Sequence, residues 1–195
     1  MKRLFDIFFS LIFIILLLPF FMIIALVILL DTGSNPVYLQ KRVGKNNRDF
    51  TLFKFRTMHK YADIEGLLTV GNNDRRITKT GMWLRKNKLD ELPQLLNILL
   101  GKMSFVGPRP EVRKYVNLYS REQKQVLTVR PGLTDYASLE YINENEILSK
   151  YENPEKAYVE IIMPAKLKLN LKYIENNSLL TDLKIILSTV LGIFR

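Results

Sequence analysis

Two adjacent carboxylates, Asp90 and Glu91, stand immediately before an apolar segment that begins at Leu92. Proline is tolerated only in the first turn of a helix, where backbone N–H groups lack partners, so Pro93 places the pair at a helix start. Free N–H groups and the helix dipole favour anions there, and are expected to keep Asp90 ionised, as a nucleophile or metal ligand must be. Carboxylate oxygens also suit Mg²⁺, which completes its shell with water and phosphate oxygens.

The same pair has a purely structural explanation. Acidic residues are common in the first turn of a helix because they interact favourably with its dipole. Taken alone, the pair is more often of this ordinary kind, so the residues around it decide whether it performs chemistry.

Rigid and positively charged loops follow the acidic pair. In SFVGPRPE, residues 104–111, Arg109 lies between Pro108 and Pro110, and each proline restricts its own backbone and the residue before it. A stiff loop with one guanidinium makes a good phosphate clamp, because arginine binds phosphate oxygens in a fork; a rigid turn with a solvent-facing arginine is the alternative. Arg130 precedes a second Pro-Gly turn. Further positive charge comes from Lys54, Arg56 and Arg85.

An uncharged apolar segment from Phe8 to Leu30 indicates where this chemistry takes place. Only Ser10 and Pro19 interrupt it, and about 23 residues at ~1.5 Å each roughly cross a bilayer core as one helix. The segment is too long for a cleaved signal peptide, and no small-x-small cleavage site follows before Asp31. A membrane segment is therefore predicted.

Two topologies are open for this segment: a spanning helix kinked at Pro19, or a helix-break-helix that enters one leaflet and returns. Proline costs ~3 kcal/mol in a straight helix, although membrane helices tolerate it. Positive residues prefer the cytoplasmic side, and only the hairpin places both flanks there. Asp6 is expected to pair with Arg3 or with a residue beyond the hairpin, or else to lie at the interface. The flanking cations are Lys2, Arg3, Lys41, Arg42, Lys45 and Arg48.

The overall composition limits the classes of partner. The 195 residues suffice for one modest domain, and the formal charge of +10 indicates an anionic partner. The chain has no cysteine, which excludes disulfides and thiolate metal sites. Because a membrane segment is present and no nucleic-acid recognition motif appears, the charge favours a membrane surface or a phosphorylated substrate over nucleic acid.

The remaining patterns predict a mainly helical α+β domain. A strand within Phe50–Met58 would carry Lys54 and Arg56 on one face, and a helix over Leu92–Leu100 would end at Gly101. Ala62–Asn73 is predicted as a loop or short helix, and Leu179–Phe194 as an apolar helix that packs into the core or lies at the membrane surface. Other helices are predicted over Thr80–Lys86, Pro110–Gln125, and Pro154–Asn176 with a break at Pro164.

Together these residues resemble the bacterial sugar transferases known as monotopic phosphoglycosyl transferases. The resemblance covers nearly the whole chain, and its segment from 84 to 111 is long and highly specific. The chain looks like the minimal form, with a membrane hairpin over 1–31 and a catalytic domain over 32–195 that includes a C-terminal amphipathic helix. The matching stretches are RLFDI (3–7), KFRTM (54–58), LRKNKLDELPQLLNILLGKMSFVGPRPE (84–111), RPGLT (130–134) and TDLKIIL (181–187).

The resemblance implies that a sugar-1-phosphate passes from a UDP-sugar to undecaprenyl phosphate, with release of UMP, as the first membrane step of glycoconjugate biosynthesis. It implies that Asp90 is a nucleophile forming an aspartyl–phosphosugar intermediate in a ping-pong cycle, with Glu91 as its partner and Mg²⁺ near Asp90. It also implies a re-entrant helix broken at Pro19, at the cytoplasmic face of the bacterial inner membrane. The expected substrate-binding residues are Lys54, Arg56, Arg85, Pro108, Arg109 and Arg130.

Two departures from the family pattern and three other functions are kept in view. Leu18 stands where relatives often have Ser before the hairpin proline. The stretch DYASLEYINENEIL, from 135 to 148, replaces a Gly-rich stretch of many relatives, so the identity of the transferred sugar is left open. A membrane-anchored scaffold and a one-step metal-dependent transferase or hydrolase are the main alternatives. An aspartyl-phosphate phosphatase is disfavoured because its Asp-x-Asp motif is absent. Phosphate attacks without a strong base, so the single histidine, His59, is expected to be a bystander.

Overall fold

The computed structural model describes residues 1–66, 68–71 and 74–193, and over these ranges the chain is mainly helical with two small sheets, as predicted. The helices are α1 (Lys2–Thr32), α2 (Lys79–Lys86), α3 (Gln94–Leu99), α4 (Arg113–Val116), α5 (Tyr136–Glu140), α6 (Glu144–Leu148), α7 (Pro154–Ala157), α8 (Met163–Glu175) and α9 (Leu179–Ile193). The strands are β1 (Val37–Val43), β2 (Asp49–Phe55), β3 (Ser104–Val106) and β4 (Gly132–Thr134).

The apolar segment forms one helix, α1, which ends at Gly33 in the left-handed conformation (φ 61°). The helix continues through Pro19, so the structure has one helix where two separated by a break were expected. A proline removes only its own N–H from the helical hydrogen bonds, and the turns on either side keep theirs. Within the described ranges, α1 is the one helix long and apolar enough to cross a bilayer.

The start of α1 is fixed to the rest of the protein by polar contacts. Lys2 Nζ donates to Asp182 Oδ2 at 2.6 Å. Asp6 is buried and accepts hydrogen bonds from Ser104 Oγ at 3.0 Å and from the backbone N–H of Phe105 at 3.2 Å. The prediction that Asp6 pairs with a residue beyond the apolar segment is thus confirmed.

The end of α1 contacts the same body of protein. Ile28 is fully buried and belongs to a small apolar cluster with Leu84 of α2 and Phe55 of β2. Asp31 Oδ2 accepts a hydrogen bond from the backbone N–H of Thr80 at 3.4 Å. Both ends of the apolar helix therefore lie against the domain formed by the rest of the chain.

Two short sheets support the loops that follow them. β1 and β2 pair antiparallel, with Val37 opposite Phe55. β3 and β4 pair parallel, and a Cβ atom added to Gly132 would lie 2.1 Å from the backbone N of Gly107. Only glycine allows such an approach, so the loop after β3 and the loop before β4 are held side by side.

Several predicted helices differ from those observed. The range Pro110–Gln125 contains only the short α4, with a 3₁₀ segment at Gln123–Thr128. No break occurs at Pro164; a π-helical segment, Tyr158–Ile162, joins α7 to α8 there, and a proline at a helix start needs no N–H donor. By contrast, Ala62–Glu65 forms a 3₁₀ turn, which agrees with the loop or short helix predicted there, while Leu67, Asn72 and Asn73 of that range lie outside the described residues.

The C-terminal helix combines the two placements considered for it. Ile185 and Asp182 of α9 are buried, whereas Leu187 and Leu191 are exposed. One face therefore packs into the core and the other is available to a membrane surface. Phe194, the predicted end of this helix, lies outside the described residues.

Candidate active site

Asp90 and Glu91 lie in a 3₁₀ turn, Leu89–Glu91, that directly precedes α3. The chain enters the turn through Lys88, whose backbone is left-handed (φ 56°). Pro93 has helical backbone angles (φ −61°) and immediately precedes the first residue of α3, Gln94. The predicted position of the pair at a helix start is confirmed, although the α-helix begins two residues later than expected.

Glu91 is held by two cations. Arg109 binds it through both terminal nitrogens, with Nη1 at 3.1 Å from Oε2 and Nη2 against Oε1. Lys54 Nζ lies 3.3 Å from the same Oε1. Burial alone would raise the pKa of Glu91, but the charges of Arg109 and Lys54 outweigh burial and hold the pKa well below its ordinary value. Glu91 is therefore a carboxylate that two cations hold in its ionised form at neutral pH.

Asp90 has the opposite environment. Its residue is 7% exposed, and within the described ranges no side chain or backbone group hydrogen-bonds to its carboxylate. Burial, and then the neighbouring charge of Glu91, raise its pKa, while Lys54 and Arg85 act against the rise. A position at a helix start is expected to lower the pKa of an aspartate. The pKa of Asp90 is instead raised, because its carboxylate is desolvated in a 3₁₀ turn and receives no hydrogen bond from a described N–H group.

Arg85 is the second cation that faces Asp90. Its Nε donates to Thr57 Oγ1 at 2.9 Å. Gly81 allows this placement, because a Cβ atom there would lie 2.0 Å from the carbonyl oxygen of Thr57. Burial lowers the pKa of Arg85, and the charge of Asp90 opposes that shift. The close packing of α2 on Thr57 therefore holds a guanidinium near enough to interact electrostatically with the carboxylate of Asp90.

Asp135 fixes the loop that carries Arg109, a role that sequence reasoning missed. Asp135 is completely buried, and its Oδ2 accepts from the backbone N–H of Arg109 at 3.1 Å. Its Oδ1 caps α5 by accepting from the N–H of Ser138 at 2.6 Å. An aspartate before a helix is a recognisable capping signal, but its contact with a loop 26 residues away is not visible in the sequence.

The other predicted site residues are divided between the site and its surroundings. Lys54 lies on β2 as predicted, whereas Arg56 follows the strand, and its Nε donates to the carbonyl of Asn35 at 2.7 Å. Arg130 Nε donates to the carbonyl of Gly101 at 3.0 Å, which ties the loop before β4 to the end of α3. Pro19 is exposed on α1, far along the chain from these residues.

A single large cleft, which we call the catalytic cleft, brings most of these residues together. Its volume is about 1910 Å³, and Asp90 and Glu91 line it. The other predicted residues that line it are Lys54, Arg56, Arg85, Pro108 and Arg109; Arg130 does not. The same cleft reaches α1, where Phe5, Phe9, Phe13 and Leu17 line it. A polar, cation-rich site is thus continuous with an apolar wall.

The described side chains at this site supply only part of the coordination shell that Mg²⁺ needs. Over residues 1–66, 68–71 and 74–193, no group of three acidic, histidine or cysteine side chains comes together. Glu91 is occupied by Arg109 and Lys54, which leaves the unpaired carboxylate of Asp90 as the available oxygen ligand. Mg²⁺ commonly binds through one carboxylate together with water and substrate phosphate, so the residues fit an ion that arrives with its substrate.

Comparison with known proteins extends over the whole chain. Residues 1–195 match the family model described as bacterial sugar transferase. The exopolysaccharide production protein PSS of Rhizobium leguminosarum bv. phaseoli is 38% identical over 199 residues, covering 98% of this chain and 94% of that protein. An undecaprenyl-phosphate glucose phosphotransferase of Komagataeibacter xylinus is 33% identical over 196 residues, covering 97% of this chain and 35% of that protein.

A third relative matches a shorter part. The UDP-N-acetylgalactosamine-undecaprenyl-phosphate N-acetylgalactosaminephosphotransferase of Aeromonas hydrophila is 40% identical over 141 residues, covering 71% of this chain and 33% of that protein. The chain thus spans nearly all of one relative and about a third of the two larger ones. With a family match that includes every residue from 1 to 195, the chain belongs to the bacterial sugar transferase family.

Proposed function

We propose that this sugar transferase moves a sugar-1-phosphate from a UDP-sugar to undecaprenyl phosphate and releases UMP. The observation that carries the proposal is the difference in environment between the two acidic residues. Glu91 is neutralised by Arg109 and Lys54, whereas Asp90 is desolvated and unpaired among the described residues. A desolvated carboxylate that no hydrogen bond occupies is a stronger nucleophile than a paired one. The names of the relatives in Komagataeibacter and Aeromonas, which specify undecaprenyl phosphate, support this acceptor.

The reaction then takes two in-line displacements at one phosphorus atom. An Asp90 oxygen attacks the β-phosphorus, and the bond from that phosphorus to the oxygen bridging to the α-phosphorus breaks, so UMP leaves with the electron pair. A phosphate oxygen of the lipid next attacks the phosphorus, and the bond to Asp90 breaks, which regenerates the carboxylate and gives a polyprenyl diphosphate sugar. Neither step requires a general base once Asp90 is ionised, because a carboxylate and a lipid phosphate both attack as anions.

The cations around Asp90 account for the charge that develops during these steps. Arg85 and Lys54 face the carboxylate, and Arg109 is fixed next to it by Glu91 and by the backbone contact to Asp135. Positioned cations in a desolvated site stabilise a phosphoryl-transfer transition state without reorganisation. When bound by Asp90, Mg²⁺ supplies further charge neutralisation on the phosphate oxygens.

The proposal includes a re-entrant membrane segment, in which the continuous helix α1 bends at Pro19, and a site at the cytoplasmic face of the inner membrane. Lys2 and Asp6 at one end of α1, and Asp31 at the other, all contact the same domain. A spanning helix separates its ends by a hydrocarbon core of about 30 Å, which is difficult to reconcile with contacts of both ends to one domain. Cationic flanks on both sides of the segment also favour the cytoplasmic side.

Trapping the covalent intermediate tests the nucleophile. Enzyme is mixed with a UDP-sugar labelled in its β-phosphate, without lipid acceptor, and quenched in acid. We expect label to remain on the protein, in an amount matched by released UMP, and to be lost in Asp90→Asn. Asp49→Asn is the matched control, because Asp49 is an exposed aspartate that pairs with Arg113 at the surface.

Two results would contradict the mechanism in different ways. Label retained by Asp90→Asn would place the intermediate on another residue. Full turnover of the wild-type enzyme with no trapped label would favour the one-step transferase, in which the lipid phosphate attacks the donor directly.

A further inference from the structure

A second polar region lines the catalytic cleft on α8, an element other than the turn that carries the acidic pair. Asn170 is only 4% exposed, and its Oδ1 atom is buried without a partner. Within the described ranges nothing hydrogen-bonds to its side chain, although the residue lines the cleft. A buried amide without a partner is costly, and in a native protein it calls for an explanation. A ligand that enters the cleft and completes these hydrogen bonds supplies one.

The neighbours of Asn170 define what kind of ligand fits. Lys166 is one helical turn earlier on the same face of α8, also lines the cleft, and its Nζ lies 2.5 Å from Glu144 Oε2. The same Nζ is 5.6 Å from the ring centroid of Tyr158. Lys166 and Glu144 neutralise each other, so this wall offers donors, acceptors and an aromatic ring without net charge.

We propose that Asn170 and Lys166 form the subsite that recognises the hexose of the nucleotide-sugar donor. This inference rests on the proposed function. The phosphates of the donor match the cation-rich end of the cleft near Asp90, whereas the neutral α8 wall matches a polyhydroxylated ring. A prenyl chain on this wall would leave the amide of Asn170 desolvated and still unpaired, which argues against the lipid as its occupant.

Asn170→Leu tests the subsite with a substitution of similar size. UMP release is measured for wild type and variant with UDP-glucose, UDP-galactose, UDP-N-acetylglucosamine and UDP-N-acetylgalactosamine. For the donor that the wild type prefers, we expect kcat/KM to fall at least about tenfold and the preference among the four donors to shrink, because a site built to hydrogen-bond a hydroxyl loses discrimination with that bond. Thermal stability is expected to be unchanged or higher, since the variant removes an unpaired buried amide.

Inhibition by UDP separates the sugar from the nucleotide. UDP lacks the hexose, so its inhibition constant is expected to be the same in variant and wild type. A proportional weakening of UDP inhibition would assign Asn170 to the nucleotide and overturn the inference. Wild-type kinetics for all four donors would overturn it as well, and so would a change confined to the KM of undecaprenyl phosphate.

A second pair of variants keeps the inference testable if Asn170→Leu folds poorly. Lys166→Met is compared with Lys168→Met, because Lys168 lies on the exposed side of the same helix. We expect the same loss of donor discrimination only for Lys166→Met, and equal kinetics for the two variants would overturn the subsite. If wild-type enzyme releases UMP from none of the donors, the proposed function itself fails, which is a different result from an unaltered variant.

Discussion

Arg109 binds the carboxylate of Glu91 through both of its terminal nitrogens, while the adjacent carboxylate of Asp90 has no hydrogen-bond partner among the described residues. Two neighbours of the same chemical class thus have opposite environments. Glu91 anchors the cations of the site, and its pKa is lowered. Asp90 is left desolvated with a raised pKa. The proposed mechanism uses this difference, because Glu91 holds the cations of the site and leaves the carboxylate of Asp90 without a partner.

Asp90→Asn is expected to raise the melting temperature of the protein at neutral pH. The raised pKa of Asp90 means that the folded state disfavours its ionised form, so the native aspartate weakens the fold once it is charged. The neutral amide removes that cost. As pH falls through the raised pKa, the wild-type aspartate takes up a proton and the difference should shrink. Thermal unfolding in detergent across pH, with Asp49→Asn as control, measures it; a lower melting temperature for Asp90→Asn at pH 7 would contradict the assignment.

Glu91→Gln is expected to shift the acid limb of the pH–activity profile to lower pH. After burial, the charge of Glu91 is the largest contribution that raises the pKa of Asp90, and its removal also leaves Lys54 and Arg109 free to stabilise the ionised aspartate. In the proposed mechanism Asp90 attacks in its ionised form, so activity is expected to be lost as pH falls through its pKa. Turnover should also fall, since Arg109 loses its anchor. The profile of kcat/KM against pH tests the direction, and an acid limb at higher pH than in wild type would show that Glu91 does not act on Asp90 in this way.

Asp135→Ala is expected to lower both stability and turnover. The change removes the cap of α5 and the acceptor for the backbone of Arg109, a loss of roughly 1–3 kcal/mol. Asn153→Ala is the matched control, because Asn153 also caps a helix, α7, through a 3.0 Å bond from the N–H of Lys156, but at an exposed site. Denaturant unfolding and steady-state kinetics of both variants separate the roles. Equal effects on turnover would mean that Asp135 does nothing specific for Arg109.

Labelling of single cysteines tests the topology independently of activity. The chain has no cysteine of its own, so Leu4→Cys at the start of the apolar helix and Lys45→Cys in the domain that follows it report the two flanks without a background signal. Both residues are exposed. In inverted membrane vesicles, whose cytoplasmic face is outermost, we expect an impermeant maleimide to label both positions. Labelling of only one would show a helix that crosses the bilayer.

The sequence predicts the local features of the site better than the long-range ones. Pro93 is sufficient to place the acidic pair before a helix, because the restriction on proline is local. The raised pKa of Asp90 is not evident from the sequence, since desolvation arises from packing that no local pattern records. For the same reason the contact of Asp135 with Arg109, and that of Arg130 with the carbonyl of Gly101, are not evident before the chain is folded.

Helices, too, are predicted well where local sequence determines them and poorly where long-range packing does. The range 110–125 has apolar and helix-forming residues, but its polypeptide forms only one short turn of α-helix because its apolar side chains pack into the core from irregular backbone. The sequence predicts the apolar length of α1, because a long uncharged segment leaves few alternatives. For Asp6 the sequence leaves three placements open, and the structure selects the contact with Ser104.

The aromatic face of α1 connects the lipid environment to the chemistry. Phe5 and Phe9 are half-buried and line the same cleft as Asp90, while other side chains of that helix, such as Phe8 and Leu11, are exposed. In the proposed membrane setting, lipid acyl chains contact one side of α1, and the opposite side of the same helix lines the catalytic cleft. In that setting we expect bilayer thickness and fluidity to affect the rate of the reaction. In detergent-solubilised enzyme, detergent replaces the lipid that contacts the outer side of this helix.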